Sequence, residues 1–469
     1  MTTNTDDRLS GALQENLLTL LCFDQKYATQ IRYAVKPQLF ESSVFREVAG
    51  IAIDFIDQFR QPVGDHLPDH LESILKGDDA RKAKTYQKLV ENLFLAREHV
   101  NGEYVLSQLK KFVRAQNMKS AVITAAEALE DGRVDDAEVA MQKALSSQIT
   151  TFEGGTDLSD PQSALKFLDA EDEQPMVTGI DALDEFGAAP AKKTLFLALA
   201  PTNRGKSWWL MHLGKWAILQ GLSVLHITLE MSESKCAGRY MQSFFSLTKR
   251  QGMARVTRLR RDPDGALSDI YSEEMERPSL ADDNIRAYLG SKIRRELSRR
   301  PKLKIKSFPS GQLTMSMLNA YLDGLERFEK FTPDLLLLDY IDIMAHDPTT
   351  RRESIGATTI ALRGLASERN LAAASATQTN RTGISAKVVD ETHLSEDVSK
   401  AFTADCMVTY NQTNAEYALG LARLFVAKNR DDVAKTTALI TQSYAIGQFC
   451  LDSVQINSDY WDIIAPEKG

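Results

Sequence analysis

Cysteine is scarce in this chain. Cys22, Cys236, Cys406 and Cys450 are the four among 469 residues, and none stands at C-x-x-C spacing. That excludes a disulfide framework and a thiolate zinc site, and it fits a reducing compartment, the cytoplasm. Long apolar runs are missing too. None approaches the roughly 18 residues of a membrane span, so no membrane association is expected. The first residues, MTTNTDDRLSGALQEN, lack a basic stretch followed by an apolar one, so no secretory signal is expected. Positive charge is not in excess, since the formal net charge is −8. Any nucleic-acid contact must therefore rest on local basic clusters. One more residue is missing. The phosphate-binding loop reads G-x-x-x-x-G-K-[ST], and LALAPTNRGKSWWLMHLG (197–214) places Ala200 where the first glycine belongs.

What is present describes an ordinary globular protein, 43% hydrophobic and 26% charged. A length of 469 residues exceeds what one core usually holds. Three regions are expected: a helical domain over 1–150, a linker with a short helix over 151–176, and an α/β domain over 177–469. In the first, Leu13, Leu17, Leu18, Leu20 and Leu21 recur at helical spacing, as do Val44, Val48, Ile51, Phe55 and Phe59. Residues 118–145 read as a helical hairpin with Gly132 ending its first helix. TFEGGTDLSDPQ (151–162) has linker composition.

From about Val177 short apolar runs alternate with helical patterns. The runs are 194–200, 222–230, 303–308, 334–340, 371–378, 406–410 and 421–429. This predicts a mostly parallel sheet with helices on its faces. Runs at 437–442 and 448–453 predict a closing hairpin.

The chemistry-bearing residues fall at the ends of these strands. Binding phosphate takes convergent backbone N–H groups at a helix N-terminus, a lysine for the β- and γ-phosphates and a hydroxyl for Mg²⁺. Ala200, Pro201, Thr202, Asn203, Arg204, Gly205, Lys206 and Ser207 form the candidate loop. Lys206 is the phosphate cation and Ser207 the metal hydroxyl. DLLLLDY ends in Asp339, a carboxylate placed to orient Mg²⁺, with Asp342 a weaker alternative. LSVLHITLE ends in Glu230, a candidate base for an attacking water. His226 in that run reads as a core residue. LAAASATQ ends in Gln378, either a γ-phosphate sensor or a surface amide.

Taken in order, AxxxxGKS, TLEM (228–231), LLLLDYIDIM (335–344), ATQTNR (376–381) and AKNR (427–430) resemble the motifs of bacterial and phage DnaB-type replicative helicases. These are hexameric motors with a RecA-like P-loop core behind an all-α N-terminal domain. Residues 15–56 and VTGIDALDEF (177–186) are similar to that family's N-terminal domain and motor lead-in. The family often carries alanine at the loop's first position. The resemblance implies ATP and Mg²⁺ as cofactors. It makes Glu230 the catalytic glutamate, Asp339 the metal-orienting acid and Gln378 the sensor. Lys428 and Arg430 then become the pair that reaches a neighbouring subunit's γ-phosphate. The function it implies is ATP-driven 5′→3′ translocation on single-stranded DNA with unwinding of a replication fork. The implied partners are single-stranded DNA, five further copies of the chain, a primase and a helicase loader. Arg351, Arg352, Arg381, Lys387 and Lys400 lie in the stretches that would line the DNA channel. The basic stretches 248–261 and 291–306 read as solvated faces. A strand-exchange recombinase and a non-catalytic ATP-binding scaffold or loader are the alternative readings. The TLEM-to-LLLLD interval is longer than the family's pattern, and Asp342 stands where a glutamine is expected.

Overall fold

Short polar side chains start the long helices of the first unit. Ser10 accepts a hydrogen bond from the Leu13 amide, Asp24 from those of Lys26 and Tyr27, Ser42 from Val44 and Asn101 from Tyr104. Each satisfies amides that a helix N-terminus leaves unpaired. The helices span Gly11–Phe23, Gln25–Ala34, Ser43–Phe59, Ala80–Ala96 and Gly102–Glu130. Leu17, Leu18, Leu21, Val48, Ala52, Ile53 and Leu93 close their shared core. Gly132 follows the last of them in the left-handed region, with φ 74°.

The computed structural model describes residues 9–77, 79–134, 136–137, 140–141, 158, 161, 165, 174–201, 204–379, 399–456 and 460–461. The chain divides into two compact units at residue 165. Most of the hairpin's second helix and of the helix expected within 163–173 lies outside the described residues. So do Thr202, Asn203, Arg381 and Lys387.

The strands of the second unit are β1 Leu195–Ala200, β2 Val224–Thr228, β3 Met253–Arg261, β4 Leu267–Glu276, β5 Leu303–Ser307, β6 Leu335–Asp339, β7 Ala372–Gln378, β8 Cys406–Asn411, β9 Leu421–Asn429, β10 Thr437–Ser443 and β11 Gln448–Gln455. Nine of them form one sheet, in the order β11-β10-β9-β8-β1-β7-β6-β2-β5. From β8 to β5 neighbours pair in parallel, whereas β9, β10 and β11 add antiparallel pairs at the other edge. Among the described residues the strands of this sheet fall where the apolar runs predict them. β1, β2 and β6 are buried throughout, as expected of parallel strands covered on both faces.

One element differs from expectation. Residues 248–261, expected as a solvated face, instead contribute β3, which pairs antiparallel with β4. β3 buries Ala254, Val256 and Leu259. Its arginines take cross-strand partners, Arg258 with Glu273 at 2.9 Å and Arg260 with Asp269 at 3.3 Å. This hairpin occupies much of the long interval after TLEM. The 291–306 stretch does form a helix and the edge strand β5.

A buried ion pair braces the antiparallel part of the sheet. Arg423 on β9 donates to Glu416 at 2.6 Å, and the Tyr460 hydroxyl donates to the same carboxylate at 2.7 Å. Burial alone would raise the Glu416 pKa, but the Arg423 and Thr413 hydrogen bonds override it and hold the carboxyl below its ordinary value. The pair's stability is therefore present above the ordinary carboxylate range and lost as pH falls through it. Arg423→Ala leaves a buried charge alone and is expected to cost about 3–5 kcal/mol at neutral pH, read by urea unfolding of the chain.

Candidate nucleotide-binding site

Parallel strands end on one side of the sheet, and that is where the candidate residues converge. Register pairs Thr228 with Asp339 and Ala200 with Gln378. The ends of β1, β2, β6 and β7 thus form one edge, the place where open α/β sheets bind ligands. The loop after β1 leads into the helix Lys206–Leu219, whose N-terminal amides and dipole favour an anion.

Ala200 explains its own tolerance. It has strand geometry, is fully buried and packs in a core with Phe196, Trp209 and Tyr340, so no left-handed backbone demands a glycine there. Gly205 is different. Its φ is 91°, and a β-carbon would stand 2.1 Å from the Tyr444 hydroxyl oxygen. Conformation and space both require glycine. Pro201 is half-buried at the loop's start, while the Arg204 guanidinium turns to Gln412 at 3.1 Å.

Gly205, Lys206, Ser207, Trp208, Glu230, Met231, Arg239, Gln378 and Tyr444 line a cavity of about 440 Å³. Lys206 is buried at its base. Desolvation lowers its pKa, against the pull of Glu230, Asp339 and Asp342. Its ammonium lies 5.5 Å from the Tyr340 ring centre. Glu230 is exposed to this cavity. The Gln378 side-chain amide donates to the Tyr340 hydroxyl at 2.7 Å.

Asp339 is the most unusual group. It is fully buried, and neither carboxylate oxygen has a hydrogen-bond partner among the described residues. Burial pushes its pKa up to about 6, only partly offset by the nearby Ser207 hydroxyl and the Lys206 charge. A buried carboxylate without donors is costly unless a cation compensates it. The donor set, one hydroxyl and one carboxylate with room for phosphate oxygens, fits Mg²⁺ bound through a nucleotide. Among the described residues no cluster of His, Cys, Asp and Glu could hold a metal unaided.

This orphan carboxylate has a measurable consequence. Its pKa rises on folding from 3.8 to about 6, so the folded state holds the proton more tightly. The charge therefore destabilises the empty fold above pH 6, by about 2–3 kcal/mol, and the penalty fades toward pH 4. Asp339→Asn is expected to raise the melting temperature at pH 7.5, with the gain shrinking as pH drops from 6 toward 4, while hydrolysis is lost. A variant that melts lower at pH 7.5 contradicts this account.

Sequence reasoning missed three groups here. Arg239 lies over the Trp208 ring at 5.1 Å and contributes positive charge beside Asp339. Tyr340 receives the Gln378 side-chain amide, and Tyr444 stacks on Trp208 at 5.9 Å. Only Tyr340 carried a signal, being adjacent to Asp339. The other two arrive from helix Glu233–Phe245 and from the turn after β10.

The remaining candidates lie elsewhere. Lys428 and Arg430 are at the end of β9, beside the start of β8, since Cys406 pairs with Asn429. The Lys428 ammonium donates to the Ala401 and Phe402 carbonyls, each at 2.9 Å. Arg430 pairs with Asp405 at 2.7 Å. Asp405 also takes a two-pronged contact from Arg363 and a hydrogen bond from the Leu195 amide at 3.0 Å. Arg351 and Arg352 are exposed, but on the first turn of helix Arg351–Glu368 rather than in a loop. Arg351 donates to the Asp342 carbonyl at 2.8 Å. Lys400 is not a surface cation. It is fully buried and paired with Asp342 at 2.7 Å, so it cannot reach a DNA phosphate as expected.

A helical unit ahead of a P-loop sheet whose cavity lies at the ends of the parallel strands defines a RecA-like α/β fold. This architecture is similar to that of DnaB-like helicases. The chain is 22% identical over 421 residues to the DnaB-like replicative helicase of Enterobacteria phage T4, spanning 85% of this chain and 82% of that protein. A solved DnaB-like replicative helicase, described with its interactions with primase, superposes with a TM-score of 0.52 at 14% identity. The match covers 96% of this chain and 100% of the solved one. A second solved structure, an isolated ATPase domain, gives a TM-score of 0.47 at 14% identity, over 65% of this chain and 100% of that domain. No protein-family model matches. The resemblance to DnaB-type replicative helicases thus extends along most of the chain. Among the described residues no helix is long and apolar enough to cross a membrane.

Proposed function

We propose that the chain is a replicative DNA helicase that hydrolyses ATP to move 5′→3′ along single-stranded DNA and part the duplex at a fork. The observation that carries this is the convergence of Lys206, Ser207, Glu230, Asp339 and Gln378 at one sheet edge, with Asp339 buried and neither of its oxygens in a hydrogen bond among the described residues. Lys206 would neutralise the β- and γ-phosphates, with Ala200, Pro201, Thr202, Asn203, Arg204 and Gly205 shaping the loop around them. Ser207 and Asp339 would hold Mg²⁺, which supplies charge neutralisation at the transferred phosphoryl group. Glu230, open to the cavity, would orient the attacking water and take its proton. Gln378 would register the γ-phosphate through its bond to Tyr340.

Lys428 and Arg430 would act on a neighbouring copy's nucleotide. Arg430 contacts the carboxylate that binds the Leu195 amide, at the start of β1. Ala200 lies at the strand's other end, roughly 16 Å away at about 3.3 Å per residue. Its own nucleotide is out of reach, which favours action on a neighbouring copy, and the family resemblance makes that assembly a ring of six. Arg351, Arg352, Arg381 and Lys387 would contact the DNA backbone. Few cations per subunit suit a site whose affinity is multiplied by repetition. A primase is the partner that the solved relative's interactions suggest, and a loader would place the ring on DNA.

The test is mass photometry of the full chain with Mg²⁺ and a slowly hydrolysed ATP analogue, with and without forked DNA. A dominant six-subunit species is expected. Growing filaments would point to a recombinase, and monomers under every condition would contradict the ring.

A further inference from the structure

Lys400 is buried without any role in the reading above, and a fully buried lysine calls for an explanation. Its ammonium donates to Asp342 Oδ1 and to the Thr377 hydroxyl, both at 2.7 Å. The Thr377 hydroxyl donates to Asp342 Oδ2 at 2.8 Å, and the Gln378 backbone N–H donates to the same oxygen at 3.4 Å. Three segments meet in this triad: the turn after β6, the sensor end of β7 and the helix Ser399–Thr403.

That short helix is held from its other end as well. Lys428, on the strand that leads to Arg430, donates to carbonyls of its last turn, at Ala401 and Phe402. A cation at a helix C-terminus is the favoured placement. An unbroken set of contacts therefore runs from Lys428, through the helix, to Lys400 and Asp342, and on to Gln378 and Tyr340.

We propose that Lys400 is a positioning residue that joins the sensor of one nucleotide site to the strand serving the next. Through its buried pair with Asp342, it makes Gln378 and the Lys428–Arg430 strand move as one body. Occupancy of a subunit's own site is then felt at its neighbour's. This inference rests on the helicase reading and deepens it. The contacts are contiguous from Lys428 to Tyr340.

The test compares the full chain with Lys400→Met, with Asp342→Asn combined with Lys400→Met, and with Thr377→Val. ATP hydrolysis is followed against ATP concentration with and without oligo-dT, alongside thermal melting. Lys400→Met strands a buried carboxylate and should melt lower. The double variant removes both charges and keeps an acceptor for Thr377, so its melting should return close to wild type. Its Hill coefficient in ATP should nevertheless fall to about 1 and its DNA stimulation be lost severalfold. Thr377→Val keeps the charge pair and removes the shorter of its two bridges to the sensor strand, so partial loss of both is expected. A double variant with wild-type melting, cooperativity and stimulation overturns the inference and leaves Lys400 purely structural. Should the double variant fail to fold, full cooperativity in Thr377→Val overturns it. Absence of DNA-stimulated hydrolysis in the wild type would instead refute the helicase reading.

Discussion

Lys206→Ala is expected to abolish ATP hydrolysis, by about 10³-fold, with no loss of thermal stability. The size follows from position. Lys206 is the buried cation at the base of the cavity, facing Glu230 and Asp339. Transition-state charge on phosphoryl oxygens would meet it without intervening water, where electrostatic interactions are strongest. Stability follows a different balance. Desolvation already pulls the Lys206 pKa down, so the empty fold gains little from its charge. Removing it should leave the melting temperature level or slightly higher. Steady-state hydrolysis with saturating oligo-dT checks the first half, and a melting curve the second. Retained DNA-stimulated hydrolysis would refute the phosphate-loop assignment.

Arg430→Ala is expected to be as damaging, since an arginine supplied to the transferred phosphoryl group is worth about 10³–10⁵ in rate. This loss should be complementable. An Arg430→Ala subunit keeps an intact phosphate loop and metal acid. An Asp339→Ala subunit keeps an intact Arg430. Mixed rings contain interfaces where the good loop of one faces the good arginine of the other. Rate against mixing ratio should therefore rise from near zero, pass through a maximum and fall again. Zero activity at every ratio would mean that Arg430 does not act between subunits. In the isolated chain Arg430 is parked on Asp405, which Arg363 also holds. The neighbour's phosphates would compete with an anion that keeps a second arginine, so the exchange need not leave a buried charge alone.

Much of this was legible in the sequence because strand and helix periodicities differ. Buried parallel strands such as DLLLLDY are short apolar runs, and in a parallel sheet their polar last residues share an edge. That reasoning alone groups Ala200, Glu230, Asp339 and Gln378. The β3–β4 hairpin escaped notice because arginines interrupt its pattern. The clue was Asp264-Gly265 between alternating segments, a hairpin turn signal that the surrounding charge obscured. Lys400 was misplaced for a related reason. A lysine beside a polar stretch looks solvated, and nothing local shows that Asp342, far earlier in the chain, will bury it. Arg239 and Tyr444 were illegible for the same cause, since their roles exist only once helix and sheet edge are assembled.

The proposed function requires that nucleotide hydrolysis at this sheet edge separate DNA strands. The most direct measurement is displacement of a labelled strand from a forked duplex by the wild-type chain, with ATP and Mg²⁺, comparing forks whose only long single-stranded arm is 5′ or 3′. Displacement should require ATP and the 5′ arm and disappear in Lys206→Ala. Vigorous DNA-stimulated hydrolysis with no displacement from either fork would contradict it.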